Sequence, residues 1–447
     1  MSIAIFAQAH FPIEDLVAAL RRDGVDSIPA KLDTKPPSNT PIKKAVLVIQ
    51  EQGIVSIGEK TNLVRGLLPT EASLLLCVPQ PPASDRQLLL KSGVNEIITP
   101  GSWASGYVAE RILAELIVAQ DIQPSSCGLL QGATHKMREL YQHLEKIAPL
   151  DDPILILGES GTGKELVAHE IHRLSGRPDP FLPINCPELS PELLGSELFG
   201  HEKGAFTGAL QARKGLIAST GRGTIFLDEI GDIDLAAQAK LLRVIEDRKV
   251  RPIGANHLEP VEARLVFATN RNLEEDCIDG KFRKDLYERL RGFTLILPPL
   301  RERRADLSLL FRHFLEAFNK EYGKDLKTPT SALDCLFRYD WPGNLRELRS
   351  IVRRSAAFAD AAGFVSAAVL RESVRSLGPT RSQHSVTFNP AHDAWRDVLA
   401  RAQKIYFRAL LIESQGNKET ATKLSGLSRS QFYEKLKEIE RRTDETS

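Results

Sequence analysis

Eight consecutive residues, Gly158, Glu159, Ser160, Gly161, Thr162, Gly163, Lys164 and Glu165, have the types and spacing needed to hold phosphate. The apolar run Pro153 to Leu157 precedes them and the helical pattern Leu166 to Ile171 follows, so a buried strand should turn into a helix here. Gly158, Gly161 and Gly163 let backbone N–H groups wrap the β- and γ-phosphates of a nucleotide, and the following helix points its positive end at them. Lys164 adds a compact cation. Glu165 stands where such loops usually carry Ser or Thr to help hold Mg²⁺, so the metal must depend on waters and a distant carboxylate.

The run Gly223 to Leu227 supplies that carboxylate by delivering Asp228 and Glu229 to a sheet edge. Side chains alternate along a strand, so the two acids can divide the work. Asp228 is assigned to the Mg²⁺ shell and Glu229 to polarising the attacking water, as phosphoryl transfer requires. A solvated acidic turn is the plainer alternative. A glycine loop followed by an acidic strand end, in that order, favours an ATP-driven machine.

A second glycine-flanked string, Gly204, Ala205, Phe206, Thr207, Gly208 and Ala209, is too permissive to form a stable helix or strand. It reads as a raised loop presenting an aromatic. The competing reading is a hairpin whose Phe206 packs inward.

The elements that position these strings must belong to more than one domain, because 447 residues exceed the roughly 250 to 300 at which a single core stops growing. Before residue 122, short apolar runs alternate with helical patterns, the rhythm of a small parallel α/β domain. The stretch LKSGVNEIITPG resembles the fourth helix and fifth strand of a response-regulator receiver. Its phosphorylation chemistry is missing: Ala7, Gln8, Ala9 and His10 follow the first strand, Gln50, Glu51 and Gln52 the third, and Thr99 and Pro100 the fifth. No aspartate acceptor and no lysine stand where such a pocket needs them. Glu51 could mimic a phosphoaspartate, and a solvated turn residue is the alternative.

Ser376 to Asp393, rich in Pro, Ser, Thr and Gly, reads as a linker. Beyond it, a helical pattern from Leu399 to Leu411, then Asn417 to Leu424, a break at Ser425-Gly426 and a final stretch from Ser428 to Lys437 read as helix-turn-helix. Ser428 is placed as N-cap, and Arg429, Ser430, Gln431 and Lys435 on the groove-facing part of the second helix. From Arg401 to Ser447 ten Lys and Arg face seven Asp and Glu, an excess of three positive charges. So small an excess implies reliance on dimerisation and multiple sites, with strong salt dependence.

The strings GESGTGKE, SELFGHEKGAFTGA, TIFLDEIGDI, FRKDLYERL, LPPLRERRADL and WPGNLREL occur together and in family order. The chain resembles the bacterial enhancer-binding proteins, AAA+ activators of RNA polymerase carrying sigma-54, from about Gly128 to Arg371 and again near the C-terminus. The resemblance implies an α/β fold with a degenerate receiver-like sensory domain (1–122), a joint (123–127) and an AAA+ P-loop ATPase (128–375) whose helical lid occupies about 301–375. A linker (376–393) and a Fis-type helix-turn-helix (394–447) complete it. ATP and Mg²⁺ are the implied cofactors.

By position, Arg283 and Arg289 match arginine fingers reaching a neighbouring subunit's nucleotide, and Asn185 matches the switch residue that restrains the catalytic glutamate. Asn270 matches the first sensor and Arg346 the second. Gly204 to Ala209 match the loop that touches sigma-54. The implied partners are sigma-54 polymerase, upstream double-stranded DNA and further copies of the chain, from a dimer to a hexameric ring. Some relatives with degenerate receivers bind cyclic di-GMP; the segment Ser125 to Leu130 lacks the arginine-bearing joint motif that supports it. The alternatives are a regulator of other promoters whose ATP site controls oligomer state and, more distantly, an AAA+ remodeller that ignores nucleic acid.

Cys77, Cys127, Cys186, Cys277 and Cys335 lack metal-ligand spacing, and no apolar run approaches a membrane span. His169 and His172, three apart on a helix, read as packing and surface. The N-terminus lacks the pattern of a signal peptide, and a cytoplasmic protein with reduced thiols is expected.

Overall fold

Short β-branched runs alternating with amphipathic helices produce two parallel sheets in the computed structural model. It describes residues 2–376 except 9–10, 31, 33–41, 51–53, 70, 80–87, 91, 93, 100–102, 119–124, 128–129 and 207–208. Beyond 376 it describes 399, 402–403, 406–407, 422, 425, 427–429 and 431–436. The chain divides into two compact units, residues 1–374 and 375–447.

The first sheet contains β1 (Ser2–Ala7), β2 (Asp26–Ala30), β3 (Ile42–Val48), β4 (Ser73–Cys77) and β5 (Glu96–Ile98), with helices α1 (Ile13–Arg22), α2 (Ile54–Leu67) and α3 (Ser105–Val118). All pairs are parallel, in the order β2-β1-β3-β4-β5. That is the doubly wound receiver order. Strand alternation sends Ile3, Ile5, Val46 and Val48 to the core shared with α1 and α3, while Ala4, Phe6, Ala45 and Leu47 join the core under α2. At the strand ends, where a phosphoacceptor pocket would need acids, the Gln50 N–H donates to Gln8 Oε1 at 3.2 Å. His10, Glu51, Gln52 and Pro100 lie outside the described residues.

The second sheet begins after α4 (His135–Ile147) and contains β6 (Ile154–Leu157), β7 (Phe181–Asn185), β8 (Thr224–Asp228), β9 (Arg264–Thr269) and β10 (Phe293–Ile296). Its order is β10-β6-β9-β8-β7, again all parallel. Helices α5 (Lys164–Ser175), α6 (Pro191–Phe199), α7 (Leu235–Asp247), α8 (Leu273–Ile278) and α9 (Lys284–Leu290) connect the strands. A helical lid follows: α10 (Leu307–Tyr322), a 3₁₀ segment (Thr330–Arg338), α11 (Asn344–Ala357) and α12 (Ala367–Arg375). Its core is built on Phe311, Phe337, Trp341 and Leu348.

The sheet read as a separate N-terminal domain belongs to the same compact unit as the second sheet and lid. Helix α3 makes the join. Ala114 enters the lid core, and Arg111, 1% exposed, lies 4.1 Å from the Phe337 ring centroid with its guanidinium 2.5 Å from Asp334.

In the second unit Phe432 is fully buried, and its ring centroid lies 5.2 Å from that of Phe407. The helical residues 431–436 start from a reciprocal cap. Ser428 Oγ accepts the Gln431 N–H at 3.4 Å, and Gln431 Oε1 accepts the Ser428 N–H at 3.1 Å. The expected N-cap is therefore present, and Gln431, read as groove-facing, has its carbonyl oxygen committed to the helix start. Ser430 and the 377–393 part of the expected linker lie outside the described residues.

Candidate nucleotide-binding site

Sheet geometry brings the ends of β6, β8 and β9 side by side, so the glycine loop, the acidic pair and Asn270 meet at one edge. Gly161 and Gly163 take φ values of 77° and 104°, left-handed conformations that a side chain disfavours. The loop then enters α5 at Lys164, which is 6% exposed and aims Nζ between the Gly158 carbonyl and Glu229 Oε1, each at 3.1 Å. Glu229 itself has φ 53°, a left-handed turn just past β8. Its second oxygen accepts the Asn270 backbone N–H at 3.1 Å. The carboxylate thus bridges the glycine loop and the end of β9.

Asp228 accepts the Glu229 N–H at 3.0 Å. Burial pushes its carboxyl above the usual range, Glu229 and Glu165 add to the shift, and Lys164 opposes it. Asp228 and Glu229 set hard oxygen donors beside Lys164 at the strand end, the donor type that suits Mg²⁺. Among the described residues no group of three or more side chains could hold a metal ion by itself.

Asn185 pairs directly across from Asp228 at the end of β7. Its amide donates to Glu188 Oε1 at 2.7 Å, so the restraint on Glu229 in this structure comes from Lys164 and Asn270 instead. Register brings Asn185 beside the acidic pair, and the 3₁₀ turn Cys186–Glu188 supplies a nearer acceptor.

The lid closes directly on the glycine loop. Arg346 reaches Ser160 Oγ at 3.1 Å, and the Leu345 N–H donates to the Gly161 carbonyl at 2.9 Å. Three further residues at this junction do not announce themselves in the sequence. Asn344, fully buried with φ 50°, donates to Glu159 Oε2 at 3.2 Å and to the Ser160 carbonyl at 3.0 Å, while accepting the Leu300 N–H at 2.7 Å. Arg301 grips Glu159 with two bonds of 2.8 and 2.6 Å and holds its carboxyl below the usual range. Arg303, 3% exposed, donates to the Thr162 carbonyl at 3.2 Å. Beside Thr162 an apolar cavity of about 60 Å³ is lined by Leu130, Met137, Leu140, Val167, Leu297 and Leu345.

Arg283 and Arg289 are exposed and held by carboxylates of their own chain. Arg283 forms a two-bond pair with Asp285, and Arg289 Nε lies 3.0 Å from Glu246. In the raised loop Gly204 has φ 81°, and its N–H donates to the Ala209 carbonyl at 2.8 Å. Phe206 is 41% exposed with its ring edge-on to His201, a presented rather than a buried aromatic. Thr207 and Gly208 lie outside the described residues. Of the other cysteines and histidines, Cys77, Cys186, Cys277 and Cys335 carry free thiols, and His169 packs on Phe181 with ring centroids 3.9 Å apart. No helix among the described residues is long and apolar enough to cross a membrane.

The sigma-54 interaction domain matches residues 130–296, and an AAA+ ATPase lid domain matches residues 301–387. The transcriptional regulatory protein ZraR of Escherichia coli K12 is 41% identical over 318 residues, 70% of this chain and 69% of the relative. A Nif-specific regulatory protein of Bradyrhizobium diazoefficiens is 48% identical over 229 residues, 51% of this chain and 39% of the relative. Crystal structures of NtrX from Brucella abortus align over 98% of this chain and 100% of theirs. The ADP complex has a TM-score of 0.51 at 25% identity, and the ATP complex 0.50 at 26%.

Proposed function

Given that the chain belongs to the sigma-54-dependent transcriptional regulators and carries their AAA+ ATPase, we propose that it binds upstream DNA, assembles as a ring and spends ATP to open sigma-54 promoters. The observation that carries the reading is the closed cluster of Lys164, Glu229, Asn344 and Arg346 at the glycine loop.

In this reading Gly158 to Glu165 cradle the phosphates and the apolar cavity beside Thr162 takes the base. Lys164 exchanges its ion pair with Glu229 for phosphate oxygens, which releases Glu229 to polarise the attacking water. Asp228 would hold Mg²⁺, which when bound would supply positive charge beside the phosphates. Asn270 keeps Glu229 at the sheet edge and Asn185 completes the switch. Arg346 and Asn344 sense the occupied loop from the lid. Arg283 and Arg289, exposed and held only by surface carboxylates, can leave Asp285 and Glu246 for a neighbouring subunit's nucleotide. Exposed ion pairs are worth little, so that exchange is inexpensive.

Exposure of Phe206 supports a partner-facing role for Gly204 to Ala209 against sigma-54. Residues 394–447 would bind double-stranded DNA through Arg429, Ser430 and Lys435, with Gln431 contributing its amide nitrogen. Domains 1–122 and 128–375, with joint 123–127, would act as one coupled body, joined to the DNA-binding domain by linker 376–393. The test is open-complex formation on a sigma-54 promoter carrying the protein's own mapped upstream site. Opening with ATP and not with a nonhydrolysable analogue supports the reading. ATP hydrolysis and DNA binding without opening would refute it in favour of a regulator whose ATP site sets oligomer state. Thr207→Ala should keep DNA binding and lose opening.

A further inference from the structure

Beside the raised loop lies a cavity of about 360 Å³ where α7 meets the hairpin of Lys249–Val250 and Glu259–Pro260. Lys240 and Arg243 enter it from α7, and Lys249 and Arg251 from the hairpin. Asp247 is the one acid on its lining. No carboxylate among the described residues lies within 4 Å of any of these four cations; Lys240 instead sits 5.4 Å from the ring centroid of Phe199, on the cavity wall. Four cations against one carboxylate leave the recess with an excess of positive charge that a bound anion would offset.

The recess and the raised loop are mechanically one piece. The Glu202 N–H donates to the Ile253 carbonyl at 2.9 Å, and the Ile253 N–H to the Gly200 carbonyl at 2.8 Å. A Cβ on Gly254 would stand 2.9 Å from that of Ala205, so the two segments touch with no room for a side chain between them.

We propose that this cavity is a second DNA contact, distinct from the C-terminal helices, that takes the phosphodiester backbone of duplex DNA next to the raised loop. The identity of that DNA as the promoter rests on the function proposed above. Duplex DNA carries one negative charge per roughly 1.7 Å of axis, a density that suits four cations around one recess better than an acidic peptide diluted by neutral residues. Proteins that hold single strands stack bases on exposed aromatics. The aromatic here, Phe199, is only 1% exposed, so binding falls to the cations and the backbone.

The experiment uses the full chain and a 30-base-pair duplex without its upstream site, comparing wild type with the double variant Lys249→Gln, Arg251→Gln. Removing one cation that neutralises a phosphate lowers the slope of log affinity against log salt by about 0.9. From 50 to 200 mM salt the wild type should therefore lose about tenfold more affinity than the variant. ATP turnover, read in parallel, should be unchanged because neither residue bonds to any residue of the glycine loop. Equal slopes would overturn the proposal. A photo-crosslinking residue at position 251, on a sigma-54 promoter with polymerase, should label DNA; adducts confined to polypeptide would overturn it in favour of an acidic segment. Promoter opening by the wild type is scored separately, so the activator reading and the cavity can fail independently.

Discussion

Replacing Asn344 should uncouple the lid from the glycine loop while leaving every proposed catalytic group in place. Its two donated bonds, to Glu159 and the Ser160 carbonyl, cross from lid to loop; the bond it accepts, from Leu300, stays within the lid segment. At about 1 kcal/mol per bond, the crossing pair contributes about 2 kcal/mol to closure. Since about 1.4 kcal/mol is tenfold, ATP affinity should fall about 30-fold. In Asn344→Ala the buried Leu300 N–H is also orphaned, at a cost of about 1 to 3 kcal/mol, and alanine tolerates φ 50° poorly, about 1 kcal/mol more.

Asn344→Asp separates the two parts. Aspartate keeps an oxygen for Leu300 and tolerates a left-handed backbone, but it donates nothing and sets a charge beside Glu159. Titration with a fluorescent ATP analogue should show both variants weakened by at least tenfold, and thermal unfolding should show Ala markedly less stable than Asp. If Asn344→Asp bound the analogue within threefold of wild type, Asn344 would not be the latch between lid and loop.

Three further outcomes follow from the same geometry. Glu229→Gln should keep ATP binding and lose turnover by about 10²- to 10⁴-fold, the usual scale for a positioned base, and a steady-state ATPase assay at wild-type rate would remove Glu229 from that role. Arg289→Ala or Arg283→Ala should lower turnover by about 10³-fold or more and regain part of it when mixed with Lys164→Ala chains, because the two defects fall in different subunits of a shared site; a mixture as inactive as its parts would exclude shared sites. Burial in the join between the first sheet and the ATPase pushes Glu110 and Glu115 up to about 7. The folded chain then keeps protons there that the unfolded chain releases above the ordinary carboxylate range, so this stability is present in acid and lost as pH rises through about 7. Glu115→Gln should flatten the fall in unfolding temperature between about pH 5 and 8, and an unchanged profile would argue against the buried carboxyl.

What is legible in the sequence is whatever a local string can encode. The glycine loop, the acidic end of β8 and the start of α11 each carry their chemistry within a short string; the strand-helix rhythm anticipates the first parallel sheet, and the resemblance implies the fold of the second. Asn344, Arg301 and Arg303 escape a sequence reading although their strings, WPGNLREL and LPPLRERRADL, stand out in it. Their partners lie 141 to 185 residues away, and only the folded lid brings them together. An asparagine after Trp-Pro-Gly resembles a turn residue until its left-handed φ and full burial are known. The Asn185 reading has the register right, opposite Asp228, but side-chain choice between Glu188 and Glu229 is settled by a 3₁₀ turn that composition does not announce. Gln431 differs for a similar reason: a Ser-x-x-Gln spacing that suits base contact also makes a capping box.

The join through α3 constrains how any input could work. Gln8 and Gln50 occupy the strand ends where phosphorylation would need acids, so a phosphoryl signal has no acceptor among the described residues there. Yet this sheet touches the same segment that holds the glycine loop. Asp306 accepts bonds from the Ala133 N–H at 2.7 Å and from both Thr134 donors, Asp23 accepts the His135 N–H at 2.7 Å, and Arg303, three residues before Asp306, reaches Thr162. Arg111 is buried and pairs with Asp334 of the lid as well as with Glu115 of its own helix, so loss of Asp334 removes the bond that ties α3 to the lid. A ligand or protein that shifts α3 must therefore disturb the lid that closes on ATP. The energy for such a shift comes from its difference in affinity between docked and displaced α3, since equal binding to both states changes nothing. Asp334→Ala should thus raise the nucleotide concentration needed for half-maximal turnover, and an unchanged value would mean that α3 and the lid merely share a core.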